Sequence, residues 1–367
     1  MAILEKTPAR RRRRGGDFFA VLLLLAVLAG LGWLWWHERT SSKTSKSKPV
    51  AVAKSPKPNV SRPESKPVPK PIVVPSSSPA DFPRPVRDML EAQVALARRV
   101  ISPGAIDGAA GSQTRAAIAA FQRSAGIPES ATLDTNTRPF LTLAAPLLAN
   151  YLVTTNDLAR LQPLGKTWIE KSQQTALDYE TILELVAEKA HAYQSFIRQL
   201  NPDVDWTNVP AGTVLKIPAV DYPEPVEQAA FAVIHLSQKF LEVFGAETNL
   251  LLHCPCSIAA KVEKRPVGEL HVVVVAPNPN YTFDPAVFPE SPEAQAIGHK
   301  LIIPPGPNNP VGLAWIGLDR PGYGMHGTPG PEQVGRTESH GCFRLANWDA
   351  EYLVKLVWVG MPVEVVP

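Results

Sequence analysis

The sequence predicts a multidomain chain. An N-terminal transmembrane helix and a disordered proline-rich linker precede a small all-α bundle, a small α+β module and a C-terminal domain that is mainly β. Three observations carry this reading. An uncharged apolar run stands at residues 18–36. Proline makes up 38 of 367 residues, roughly double the ~5% of an average chain, and 11 of these lie between His37 and Pro85. The hydrophobic rhythm then changes from helical spacing over 86–217 to short β-branched runs after Phe231.

Charge divides the same way. Residues 1–85 carry 16 Lys and Arg against 5 Asp and Glu, a net of +11, and residues 86–367 carry 21 against 29, a net of −8. The formal +3 of the whole chain therefore hides a basic stalk on an acidic body. The excess positive charge is confined to a tail, so no nucleic acid is expected as a partner. With 45% hydrophobic residues the rest has ample material for cores.

The apolar run reads FFAVLLLLAVLAGLGWLWW. Nineteen helical residues span ~28 Å at ~1.5 Å each, close to a ~30 Å hydrocarbon core. Arg10 to Arg14 precede it, and Trp33, Trp35 and Trp36 stand where aromatic rings sit at a membrane interface. A cleaved signal peptide would have an apolar stretch of only ~7–15 residues and a small-residue exit, so an uncleaved single-pass anchor is expected. The positive-inside rule puts residues 1–17 in the cytoplasm and the body outside. Residues 37–85 cannot bury enough apolar surface to fold. They read as a semi-extended spacer able to reach roughly 150 Å at ~3.1 Å per residue.

In 86–145, Val86, Leu90, Val94 and Ala97 give one helix face, and Thr114, Ala117, Ile118 and Phe121 another. The stretch from Ile106-Asp107-Gly108 through Ser112-Gln113-Thr114 to Phe121-Gln122 resembles the peptidoglycan-binding domain of many wall enzymes, which implies a three-helix bundle. Residues 146–177 read as a connector. Residues 178–220 hold two further helix faces, then Asn201-Pro202, Val209-Pro210-Ala211-Gly212 and Leu215-Lys216-Ile217-Pro218. This resembles the lysin motif, a strand–helix–helix–strand fold for N-acetylglucosamine-containing glycans. The copy departs from the family at its start, where Tyr179-Glu180-Thr181-Ile182 stands for Gly-Asp-Thr-Leu.

After Phe231, short apolar runs such as Val272–Val275 and Leu301–Ile303, punctuated by Gly and Pro, argue many short strands. Of three cysteines, Cys342 lies in Ser339-His340-Gly341-Cys342-Phe343-Arg344, sixteen residues after His326-Gly327-Thr328. A thiol with a pKa of ~8.5 needs a base or a cation to become a nucleophile, and two histidines and Arg344 are at hand. Spacing alone leaves open a buried hydrophobic Cys, or His and Cys as metal ligands. A disulfide between Cys254 and Cys256, two apart, would be strained.

The ordered pattern from Pro307-Asn308-Asn309 through Met325-His326-Gly327-Thr328 and Ser339-His340-Gly341-Cys342 to Asn347, Asp349, Leu353 and Gly360 is very similar to the L,D-transpeptidase catalytic domain. The similarity covers roughly 228–367. It implies a β-sandwich-like fold that joins peptidoglycan stem peptides. Cys342 would then be the nucleophile and His326 the proton donor and acceptor. His340, Ser339 and Gly341 would position the site and its oxyanion region, and Arg344, Gly327 and Thr328 would bind substrate. No metal and no cofactor is implied. The implied partners are stem peptides, glycan strands and, through residues 18–36, a cell inner membrane, with the body in the periplasm. The same Cys–His pair would also serve an L,D-carboxypeptidase or a wall amidase, and a wall-binding adaptor is the non-catalytic alternative.

Overall fold

The computed structural model describes residues 81–337 and 341–367. The expected anchor at 18–36, nearly all of the spacer, and Ser339 and His340 lie outside the described residues. Among the described residues no helix is long and apolar enough to cross a membrane.

The first module contains β1 (Arg84–Pro85), α1 (Met89–Ala97), α2 (Ser112–Ser124) and β2 (Thr142–Leu143). Asp88 caps α1 by accepting from the Glu91 amide, and β1 pairs antiparallel with β2. Two buried glutamines hold its loops. Gln93 Nε2 donates to Asp107 Oδ1, and Gln93 Oε1 accepts from the Gly108 amide at 2.7 Å. Gln122 Nε2 donates to Thr137 Oγ1, and its Oε1 accepts from the amides of Ser130 and Ala131. The Asp-Gly and Phe-Gln signatures are thus internal scaffolding. The expected third helix is instead a run of turns over 135–140. Asp134 Oδ1 takes the amides of Asn136 and Thr137 and the Thr137 hydroxyl. That local bonding competes with helix, and Pro139 stops one.

The second module contains β3 (Leu148–Leu152), α3 (Thr155–Ala159), α4 (Trp168–Ser172), α5 (Ile182–Lys189), α6 (Gln194–Leu200) and β4 (Val214–Pro218). β3 pairs antiparallel with β4 along its whole length. Residues 146–177 are therefore not a mere connector: they supply the partner strand of β4 and two short helices, each closed by a capping box. Between β3 and β4 stand four helices, α3 to α6, where a strand–helix–helix–strand module has two. Tyr179–Ile182 contains no strand, because Thr181 caps α5 by accepting from the Glu184 amide.

The third part runs through β5 (Phe231–His235), β6 (Phe240–Phe244), β7 (Leu250–Pro255), β8 (Gly268–Pro277), β9 (Tyr281–Phe283), α7 (Pro292–Ile297), β10 (Leu301–Ile303), β11 (Ala314–Leu318), β12 (Gly324–His326), β13 (Phe343–Arg344), α8 (Asn347–Leu356) and β14 (Pro362–Val366). It is mainly β, as expected. Eight strands form one sheet in the order β13-β12-β11-β8-β14-β5-β6-β7. The β14–β5 and β12–β13 pairs are parallel. Ala350, Leu353 and Leu356 of α8 join Val272, Ile316, Val363 and Val365 in its buried core. Replacing Leu353 by Ala would cost ~2–5 kcal/mol. Past β7, Ser257 bridges Arg344 of β13, linking the two ends of the sheet.

The modules pack on this sheet through main-chain bonds. Ile101 forms a parallel bridge with His253, with the Ser102 amide donating to His253 O at 2.7 Å and the His253 amide to Val100 O at 3.1 Å. The Leu177 amide donates to Pro305 O at 2.8 Å, and the Asn308 amide to Leu177 O at 3.0 Å. Trp168 of α4 stacks on Phe283 of β9, with ring centroids 4.4 Å apart.

Candidate active site

The parallel pairing of β12 with β13 sets Met325 opposite Phe343 and His326 opposite Arg344. Met325 and Phe343 are buried in the core. Side chains alternate along a strand, so His326 and Arg344 face the other way, together with Cys342, the residue directly before β13. Two short strands thus put a histidine and a cysteine sixteen residues apart onto one face. Cys342 Sγ donates to Gly322 O at 3.5 Å.

His326 is buried and its ring stacks on Trp315 of β11, with centroids 5.7 Å apart. Its Nδ1 lies 2.6 Å from Gly327 O. A carbonyl can only accept, so Nδ1 carries the hydrogen and Nε2 keeps its lone pair. Burial brings the imidazole down to about 4, with the Gly327 bond opposing and Arg344 adding to the fall. The ring is therefore neutral at ordinary pH. Burial pushes the Cys342 thiol up, while a Gly324 backbone bond and Arg344 pull it down. The resting pair is thiol and neutral imidazole. Tyr281 of β9 is pushed up by burial and then by the neighbouring Cys342.

Behind His326 stands a residue with no role assigned from sequence. Asn347, the first residue of α8, is fully buried. Its Oδ1 accepts from the amides of Thr328 at 3.0 Å and Leu313 at 3.2 Å. Its Nδ2 donates to Pro307 O at 3.2 Å and to both carboxyl oxygens of Glu188 at 3.1 Å. A Cβ added at Gly312 (φ +60°) or at Gly327 would strike Asn347 Oδ1. Both positions need glycine so that this amide can reach the backbone.

The structure therefore brings Cys342, His326 and Arg344 onto one face, with Gly341 preceding the thiol. Gly327 and Thr328 sit behind His326, and their shared peptide holds its ring. At Gly341 an added Cβ would meet Tyr323 Cε1 at 3.9 Å, an ordinary contact. Cys254 and Cys256 are free and fully buried. Burial pushes Cys256 up to about 12 and Cys254 well above its ordinary value. Among the described residues no group of three or more His, Cys, Asp and Glu could hold a metal. A cavity of about 270 Å³ is lined by residues including Asp107, Gln113, Tyr193, Lys239 and Arg336, and by none of Cys342, His326 and Arg344. Trp315 and Tyr281 had no sequence signal beyond being aromatic, whereas Asn347 lay within the L,D-transpeptidase-like pattern.

Residues 229–365 match the family profile of the L,D-transpeptidase catalytic domain, and residues 87–141 that of the "Putative peptidoglycan binding domain". The chain is similar to the "Probable L,D-transpeptidase YbiS" of Escherichia coli K12, with 31% identity over 185 residues, or 50% of this chain and 59% of that protein. It thus spans about three fifths of that relative's length. It is also similar to the "Putative L,D-transpeptidase YkuD" of Bacillus licheniformis, with 24% identity over 185 residues, 50% of this chain and 93% of that one. Among solved structures, an L,D-transpeptidase from Mycobacterium smegmatis aligns over 45% of this chain and 80% of that one, at 18% identity and a TM-score of 0.30. Residues 229–365 of this chain match an L,D-transpeptidase catalytic domain, behind a match to a peptidoglycan-binding domain at residues 87–141.

Proposed function

We propose that this chain is a cysteine-dependent L,D-transpeptidase of peptidoglycan. Residues 18–36 hold it in the inner membrane, with the N-terminus in the cytoplasm and the body in the periplasm. One observation carries the catalytic reading: a neutral His326, fixed through Nδ1 to Gly327 O, shares a strand face with Cys342 and keeps Nε2 as an acceptor. Nε2 takes the thiol proton as Sγ attacks the carbonyl of the third residue of a tetrapeptide stem. The bond to the terminal D-Ala breaks, and its amine leaves with the proton from His326. The resulting thioester is attacked by an amine of a second stem; His326 takes the amine proton and returns it to the sulfur. The Gly341 and Cys342 amides serve the oxyanion, and Arg344 offers a fixed cation to a stem carboxylate. His340 and Ser339 complete the positioning of Cys342, and Gly327 and Thr328 border the stem.

The first module and the lysin-motif-like second module supply contacts to the wall polymer, raising its local concentration at the site. The test is a mass-resolved muropeptide digest with the whole chain and its Cys342→Ala variant. Cross-linked dimers and released D-Ala are expected from the first only. Tripeptide without dimer would make the chain an L,D-carboxypeptidase. No product, with an inert Cys342, would make it a wall-binding adaptor.

A further inference from the structure

Glu188 lies on α5 in the second module, more than 40 residues before the matched catalytic domain. Its carboxyl, half-buried, nevertheless reaches the buried Asn347 of that domain. Both carboxyl oxygens accept from Asn347 Nδ2 at 3.1 Å, and Oε1 also accepts from the hydroxyl of buried Tyr179 at 3.1 Å. With its amide nitrogen held there, Asn347 turns Oδ1 toward the Thr328 amide. That amide belongs to the same peptide plane as Gly327 O, the atom that takes the His326 Nδ1 hydrogen. A peptide unit is rigid, so fixing its N–H end fixes its carbonyl end, and with it the ring on the strand face that Cys342 shares.

We infer that Glu188 is a positioning residue for His326, acting through Asn347 and the 327–328 peptide. The second module is then part of the catalytic apparatus, not only a wall anchor. This rests on the reading of His326 as the base for Cys342. A second contact across the same junction provides a control. Glu184, one turn earlier on α5, accepts from Asn308 Nδ2 at 2.6 Å, docking the module without touching the peptide behind His326. Glu184 and Glu351 are the acidic neighbours of Glu188, and Arg344 is the charged group that bears on His326.

The experiment compares the whole 367-residue chain with Glu188→Met, which keeps volume without acceptors, Glu188→Gln, which keeps an acceptor, and Glu184→Ala. Turnover of a tetrapeptide stem and the nitrogen NMR signals of the His326 ring are both read. Because small misplacements of a catalytic group are costly, Glu188→Met should lower kcat about tenfold with KM within about twofold. Glu188→Gln should recover to within about threefold of wild type, and Glu184→Ala should stay near wild type. The Nδ1–H signal should weaken in Glu188→Met alone. In wild type it should also move as Glu188 ionises near pH 8, and in Glu188→Gln it should not. That pair needs no destabilised variant. An equal loss in Glu184→Ala, or a His326 signal indifferent to Glu188 in every sample, would overturn the inference. If wild type does not act on stem peptides, the base reading fails, while the ring signals still decide whether Glu188 holds His326.

Discussion

The two ends of the eight-stranded sheet each carry a histidine and a cysteine, and only one end sets the pair on a shared face across two strands. At the β7 end, His253 and Cys254 are neighbours on one strand, so their side chains alternate to opposite faces. His253 Nδ1 turns to Glu242 Oε1 at 3.1 Å, and Arg123 of α2 meets the same carboxyl at 2.5 Å. Burial raises the Cys254 thiol, and the neighbouring Asp349 raises it further. At the β13 end, His326 and Cys342 lie far apart in sequence but share a face across a strand pair. There the histidine leans on an uncharged carbonyl, and burial raises the thiol too, opposed by a Gly324 backbone bond and then by Arg344. Register across strands puts two side chains on one face; adjacency along one strand does not.

The largest effects should separate the two ends outright. Cys342→Ala should abolish dimer formation, and His326→Ala should slow it by about 10²–10⁴-fold, the usual worth of a general base. Cys254→Ala and Cys256→Ala should leave kcat within about twofold and show instead as lost stability, of order 1–3 kcal/mol each, from the small cavities they leave. Thiol labelling of the folded chain checks the same contrast, since Cys342 should react and the other two only after unfolding.

Gly327→Ala should come next. Its added Cβ strikes Asn347 and meets the Leu313 amide at 3.1 Å. Overpacking of this kind costs about 1–3 kcal/mol, read in a thermal melt, and kcat should fall with it because the peptide behind His326 is displaced.

The pH profile sharpens the comparison further. The base works only when neutral, and burial holds His326 near 4. Activity should therefore persist well below pH 6.5, with its acid limb falling toward pH 4. A limb at the ordinary histidine value would mean that His326 is solvated. Stability has its own slope. Burial raises Glu188 from 4.5 to about 8, so the folded state binds more protons than the unfolded one between those values. Its contribution is full below pH 4.5 and is lost as pH rises through 8. Melts of Glu188→Gln should lack that part of the decline.

The smallest effect belongs to Arg123→Ala. It removes an ion pair whose arginine is 42% exposed, so the loss should be about 1 kcal/mol or less, with activity unchanged.

The proposed pair His326 and Cys342 drew notice in the sequence because its residues cluster in two short motifs, and the mainly-β domain was legible because β-branched runs alternate with turns. The first module's two helices were legible from apolar spacing. Its missing third helix was not, since Asp134 and Pro139 act through local hydrogen bonding that apolar spacing does not register. β3 escaped notice because Leu148–Leu152 is half-exposed, without clean alternation, and its partner lies some sixty residues on. Glu188 had no signal at all. It reads as one polar residue on a helix face, and its meaning comes from Asn347, 159 positions away.

The strand-like segment at residues 100–102 has a practical consequence. It occupies the outer hydrogen-bonding side of β7 through His253. A truncated protein beginning at residue 229 would leave the His253 amide and carbonyl on that edge bare, an invitation to self-association with a second copy. Biochemistry on an isolated catalytic fragment would then be biochemistry on an aggregate, one that also lacks Glu188.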